Sequence, residues 1–83
     1  MYKPRKNIDL VIPFNNEKQN LQILIPKILK TIKKIKKFRF RLIFIDDGST
    51  DKGNVIVKKF KSKNKKIVLM INKIKLGQTY CYK

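Results

Sequence analysis

The stretch Leu42–Asp51, LIFIDDGSTD, constrains the fold more than any other part of the chain. Four apolar residues run into two aspartates, and a glycine, two hydroxyl side chains and a third aspartate follow. An uninterrupted apolar run suits a strand buried on both faces, as in a parallel sheet. Gly48 to Asp51 then supply a turn and a helix N-cap. Ligands of open α/β sheets bind beyond the carboxyl ends of the strands, which sets Asp46 and Asp47 at a ligand-facing edge. The alternative is local: Asp46 starts the turn and Asp51 caps the next helix.

Charge sharpens this reading. The chain carries 22 Lys and Arg against five acids, a formal net charge of +17, and three of the five acids lie between Asp46 and Asp51. Such a field attracts nucleic acid, anionic lipid or phosphorylated ligands. A coding bias towards A and T would also enrich Lys, Ile and Asn, so charge alone assigns no function. With 83 residues the chain makes at most one small domain. Its single cysteine, Cys81, excludes an internal disulfide, and with no histidine in the chain there is no Cys–His nucleophile. This usage fits a reducing compartment. No apolar run approaches the roughly 20 residues that span a bilayer, and the basic start MYKPRKN leads into too short an apolar run to be a signal peptide.

The pattern predicts a first strand over Ile8–Phe14, its pairing ended by Pro13. Asn16 is placed to cap a helix from about Glu17 to about Lys36, with Glu17 complementing the helix dipole. Leu21, Leu24, Ile25, Ile28, Leu29, Ile32 and Ile35 form one apolar stripe, and Pro26 predicts a kink or a break. The lysine-rich opposite face reads as a solvated surface or as a peripheral contact with an anionic membrane. The second strand is expected over Phe38–Asp46. A helix follows from Thr50 or Asp51 to about Ser62, burying Val55, Ile56 and Phe60. The third strand is Ile67–Asn72, after which LGQTYCYK opens a further element. The order is βαβαβ, an α/β fold with a three-stranded parallel sheet. Two helices cannot cover both faces of such a sheet, so the chain reads as a piece of a larger domain.

Several chemistries are missing. There is no G-x-G-x-x-G after a strand and no G-x-x-x-x-G-K-[ST]. Without histidine there is neither a usual zinc site nor a Ser–His–Asp triad. A receiver domain needs a later aspartate, and no acid follows Asp51. The sequence argues against nucleic acid as a partner, because the lysines are dispersed and no helix-turn-helix, RRM or zinc-finger pattern occurs.

Read together, DLVIPFNNE (Asp9–Glu17), LIFIDDGSTD (Leu42–Asp51) and NKIKLGQT (Asn72–Thr79) resemble the opening motifs of family 2 glycosyltransferases, in matching order and spacing. The branch most similar charges polyprenyl or dolichyl phosphate. The resemblance implies that residues 1–83 form the N-terminal, truncated half of a Rossmann-like GT-A nucleotide-sugar-binding domain. It implies a UDP- or GDP-linked sugar donor and a polyprenyl phosphate acceptor at the cytoplasmic face of a membrane. It also implies that Pro13 and Ile45 wall the base while Glu17 and Asp47 accept hydrogen bonds from the nucleotide, as acceptor-only carboxylates can. Asp46 is then the structural anchor of the turn. Asn15 stands where the family usually has an aromatic, which weakens one nucleotide contact. The family's metal-binding D-x-D and catalytic base lie beyond Lys83, so Mg²⁺ or Mn²⁺ is expected only in a full-length enzyme, and no catalytic or metal residue is assigned here. The competing reading is a small basic, non-enzymatic module that binds nucleotides or nucleic acid through charge.

Overall fold

The computed structural model describes residues 6–75 and 78–82, with side chains from Lys6 to Asn72. The element order is β1 (Lys6–Phe14), α1 (Lys18–Lys34), β2 (Phe38–Asp47), α2 (Gly53–Lys61), β3 (Ile67–Lys75) and β4 (Gln78–Tyr82). Strands β1, β2 and β3 lie side by side and parallel, with Leu10, Leu42 and Ile67 in register across the sheet. This is the expected three-stranded parallel sheet. A fourth strand, β4, joins it antiparallel to β3, with Ile71 opposite Tyr82.

Both crossovers step the same way, from β1 to β2 to β3. A right-handed βαβ connection then puts both helices on one face of the sheet, where α1 and α2 pack on each other. The period-two alternation of the strands decides which residues they cover. Phe14, Phe40, Leu42, Phe44, Ile67 and Leu69 point to the helices and form the core with Leu21, Ile25, Ile32 and Val57. Phe44, Leu42, Ile25 and Val57 are fully buried.

The opposite face carries Val11, Pro13, Ile43, Ile45, Val68 and Met70 and has no covering layer among the described residues. Val11 is 55% exposed, and Ile43, Ile45, Val68 and Met70 are half-buried. The expectation that Leu42–Ile45 is buried on both faces is therefore corrected. Only Leu42 and Phe44 are shielded, because the two helices that could shield the run share one side.

Two local expectations change as well, and at Pro26 one of two alternatives drops out. Pairing continues through Pro13, which lies opposite Ile45, and on to Phe14 opposite Asp46. Proline is tolerated there because β1 is an edge strand with one neighbour. Helix α1 is one element with Pro26 inside it rather than two shorter helices. Its buried residues, Leu21, Ile25 and Ile32, tie both sides of the proline to the core. Helix α2 starts at Gly53, not at Thr50 or Asp51. A Cβ at Gly53 would lie 3.3 Å from the Phe14 ring and 3.4 Å from Leu21, so any larger residue would need these neighbours to give by a few tenths of an ångström. Starting there sets the helical phase. Val57, four residues on, is buried, while Val55, expected inside, is 52% exposed.

Candidate functional site

Parallel pairing in register brings the ends of β1 and β2 to one edge, and the loops that follow lie against each other. Asn16 adopts a left-handed backbone with φ 53°, a conformation asparagine tolerates better than most residues. It does not cap α1 as the sequence suggested. Its Oδ1 instead accepts from the backbone N–H of Thr50 at 2.8 Å, from that of Asp51 at 3.2 Å and from the Thr50 hydroxyl at 3.2 Å. The Asn16 backbone N–H donates to Ser49 Oγ at 3.0 Å. Asn15 Nδ2 donates to the carbonyl of Asp47. One loop thus holds the other through residues more than 30 positions apart.

The three clustered aspartates have separate roles in this arrangement. Asp46 is 1% exposed, and its oxygens accept from the Ser49 N–H at 2.8 Å and from Asn54 Nδ2 at 2.9 Å. Both bonds hold the turn, as expected of an anchor. Asp51 joins two helices. Its Oδ1 accepts from the N–H of Gly53, the first residue of α2, and its Oδ2 from the N–H of Lys18, the first residue of α1, each at 2.9 Å. Neither helix has a side-chain cap from its own N-cap residue, so Asp51 supplies an acceptor to both. Asp47, at the end of β2, is exposed and shares the open face of the sheet with Ile45.

Pro13 and Ile45 are register partners on that open face, and Asp47 follows them at the edge. Glu17 is reached by the turn through Asn15 and Asn16. It is exposed, and its Oε2 accepts from Asn20 Nδ2. It borders a hollow of about 280 Å³ with Asn16, Lys18, Gln19, Asn20 and Asp51. Pro13, Ile45 and Asp47 do not line that hollow. The edge therefore presents an apolar pair and one carboxylate on the sheet side, and a second carboxylate at the start of α1. Asn15 lies between them, with its amide N–H committed to the Asp47 carbonyl. Asn16, Ser49, Thr50 and the double role of Asp51 escaped sequence reading. The signal was there in the paired asparagines after β1, but only the register shows what they face.

A family profile, Glycosyl transferase family 2, matches residues 9–80, which takes in both loops, β2, β3 and all of β1 but its first three residues. The chain belongs to glycosyl transferase family 2. Among curated relatives, this family 2 chain is 33% identical over 66 residues to an undecaprenyl-phosphate 4-deoxy-4-formamido-L-arabinose transferase of Pectobacterium atrosepticum. That match covers 80% of this chain and 20% of the relative. The transferase of the same name from Photorhabdus laumondii is 36% identical over 52 residues, covering 63% of this chain and 16% of its own length. The chain thus spans about a fifth of the length of the curated relatives it matches. No solved structure matches it.

Family 2 enzymes generally use nucleotide-sugar donors and divalent metals. The donor set here does not fit a metal. Among the described residues no three His, Cys, Asp or Glu side chains come together. Asp46 and Asp51 both have two oxygens engaged by N–H donors, which leaves Asp47 as the one aspartate of the cluster open at the edge. No helix of the described residues is long and apolar enough to cross a membrane.

Proposed function

We propose that this chain supplies the nucleotide-facing half of a glycosyltransferase that moves a sugar from a nucleotide-sugar to a polyprenyl phosphate. Residues 1–83 then belong to the N-terminal part of the GT-A domain, working at the cytoplasmic face of a membrane. The observation that carries this reading is the interlocked pair of loops at the carboxyl ends of β1 and β2, within the family 2 match. Such an edge is where ligands of parallel α/β sheets bind. The relatives are undecaprenyl-phosphate sugar transferases by name, which supports the polyprenyl phosphate acceptor.

At this edge Pro13 and Ile45 offer an apolar wall for a planar base. Glu17 and Asp47 offer acceptor oxygens for base N–H groups and ribose hydroxyls, since a carboxylate has no proton to donate at neutral pH. Asp46 and Asp51 hold the loops and do not face the ligand. A divalent metal neutralises the developing diphosphate charge in such reactions. Among the described residues no cluster is suited to hold it, so on this reading the chain contributes donor binding and the transfer step draws on residues outside it.

The test is calorimetric titration of UDP, GDP and ADP at about 50 and about 500 mM salt. The expected result is preference for one base, retained at high salt, and at least roughly tenfold weaker binding in Glu17→Gln and Asp47→Asn, the size of one charge-assisted hydrogen bond. Equal binding of all three, lost steeply with salt and indifferent to Asp47→Asn, would instead establish the non-enzymatic, charge-driven module. Turnover of radiolabelled nucleotide-sugar onto polyprenyl phosphate by the chain alone would overturn the division between binding and transfer.

A further inference from the structure

The opposite end of the sheet carries a feature that the nucleotide reading does not use. Strand β2 begins at Phe38, but its pairing with β3 begins only at Leu42 opposite Ile67. Over Phe38–Arg41, β2 pairs with β1 on one side and, among the described residues, with no strand on the other. The Leu42 N–H donates to the Lys66 carbonyl at 2.8 Å, so the backbone of Leu42 points to the β3 side. In a parallel strand, N–H and C=O of one residue point the same way and those of the next point oppositely. The N–H of Phe40 therefore points into the notch, where β3 has not yet started.

A cleft of about 650 Å³ lies there, lined by Phe40 together with Arg39, Arg41, Lys65 and Lys66. Asn7 and Asp9, the register partners of Arg39 and Arg41, complete it. Four cations against one carboxylate leave three positive charges in excess. Arg41 is held by Asp9 through Nε at 3.1 Å and Nη2 at 2.7 Å, which fixes its plane and leaves further N–H donors over. Among the described residues Arg39 has no carboxylate partner. The site thus combines a backbone N–H with no strand partner among the described residues, a guanidinium held in place, a second guanidinium and two ammonium groups. At ~3.3 Å per residue along β2, Arg39 lies about 26 Å from Asp47, too far to serve the same ligand group.

We propose that this notch binds a phosphate-bearing anion, a mono- or diphosphate group carried free in solution or on a lipid. Planar, forked guanidinium donors and a backbone N–H match phosphate oxygens, and the cleft has room for two such groups.

The full chain is titrated with inorganic diphosphate at low salt. Arg39→Gln with Lys66→Gln is expected to weaken binding by about tenfold or more. Lys58→Gln with Lys59→Gln, which removes the same charge from the exposed side of α2, is expected to weaken it by less than about threefold. Asp9→Asn removes the opposing carboxylate and is expected to strengthen binding by about threefold. The Phe40 backbone amide should shift on binding in a ¹H–¹⁵N spectrum. Equal weakening by the two double variants, or binding unchanged or weaker in Asp9→Asn, overturns the proposal. If the first double variant does not fold, Asp9→Asn and the Phe40 amide decide. Phosphatidylcholine vesicles with and without phosphatidic acid separate the sources. Vesicle binding that depends on Arg39 and Lys66 supports a lipid headgroup, diphosphate binding alone supports a free anion, and binding of neither overturns the site.

Discussion

Replacing Asp51 with alanine tests the claim that one carboxylate starts two helices. The substitution removes the acceptor of the Lys18 N–H and of the Gly53 N–H, both at 2.9 Å. Loss of one N-cap acceptor costs about 1 kcal/mol, within a range of roughly 0.5–2. A negative charge near a helix N-terminus adds about 0.3–1 kcal/mol at each helix. Two helices together give a loss of about 2.5–4 kcal/mol. A domain of 83 residues has a total stability of roughly 4–12 kcal/mol, so the loss is a large share of it. At about 4–8 °C per kcal/mol for a domain of this size, the melting temperature should fall by roughly 10–30 °C. Circular dichroism at 222 nm, followed against temperature and against urea, reads this directly. Asp51→Asn keeps one acceptor oxygen and should lose about half as much. Glu17→Ala, which removes a nearby exposed carboxylate that caps neither helix, should stay within about 0.5 kcal/mol of the parent. A fall of less than about 4 °C for Asp51→Ala, or an equal fall for Glu17→Ala, would refute the shared-cap reasoning.

Asp46→Ala leaves the Ser49 N–H and the Asn54 amide without their acceptor at a position 1% exposed, and should lower the urea-derived stability by about 2–4 kcal/mol, with Asp46→Asn less damaging. Gly53→Ala places a methyl 3.2–3.4 Å from Asp51 Oδ1, the Phe14 ring and Leu21, so it should destabilise by about 1–3 kcal/mol despite alanine's better helix propensity, which a thermal melt will show. The Arg41 guanidinium holds the Asp9 carboxyl below its ordinary pKa of 3.8. A carboxyl depressed in the folded state contributes stability that is present above its unfolded value and lost as pH falls through the folded value. Denaturation midpoints of the parent and Asp9→Asn should therefore differ by a constant amount from pH 7 to pH 5 and converge below pH 3.8. Salt should shrink the difference, because both groups face water.

The strand order and both crossovers were legible in the sequence because hydrophobic runs and turn residues are local signals. LIFIDD and IVLMIN announce strands wherever they occur, and the α1 stripe announces one buried helix face. Coverage of the sheet is not local. Ile43 and Ile45 are as apolar as Leu42 and Phe44, and only the shared side of the two helices leaves them less buried. The site divided along the same line. Asp46 as anchor could be read from its place before a glycine turn. Asn16 could not, since a cap at the start of α1 and a bridge to Thr50 ask for the same side chain. What decides between them is its left-handed backbone, which aims Oδ1 across the sheet edge instead of along α1. Val57 was missed for a related reason: the phase of α2 is set by where Gly53 meets Phe14 and Leu21, a contact between three elements.

The bare side of the sheet has a topological consequence. Strands added in the direction from β1 to β3 send their right-handed crossovers over the face that α1 and α2 already occupy. A parallel strand added beyond the free edge of β1 reverses the direction of winding, and its crossover must pass over Val11, Ile43 and Val68. Cover for these residues and a new neighbour for β1 therefore arrive together. At such a reversal the loops on either side diverge, and a crevice opens at the carboxyl end of β1. Pro13, Asn15 and Glu17 would form one of its walls. The apolar face and the edge at the strands' carboxyl ends are in this sense one feature: whatever shelters the first also deepens the second.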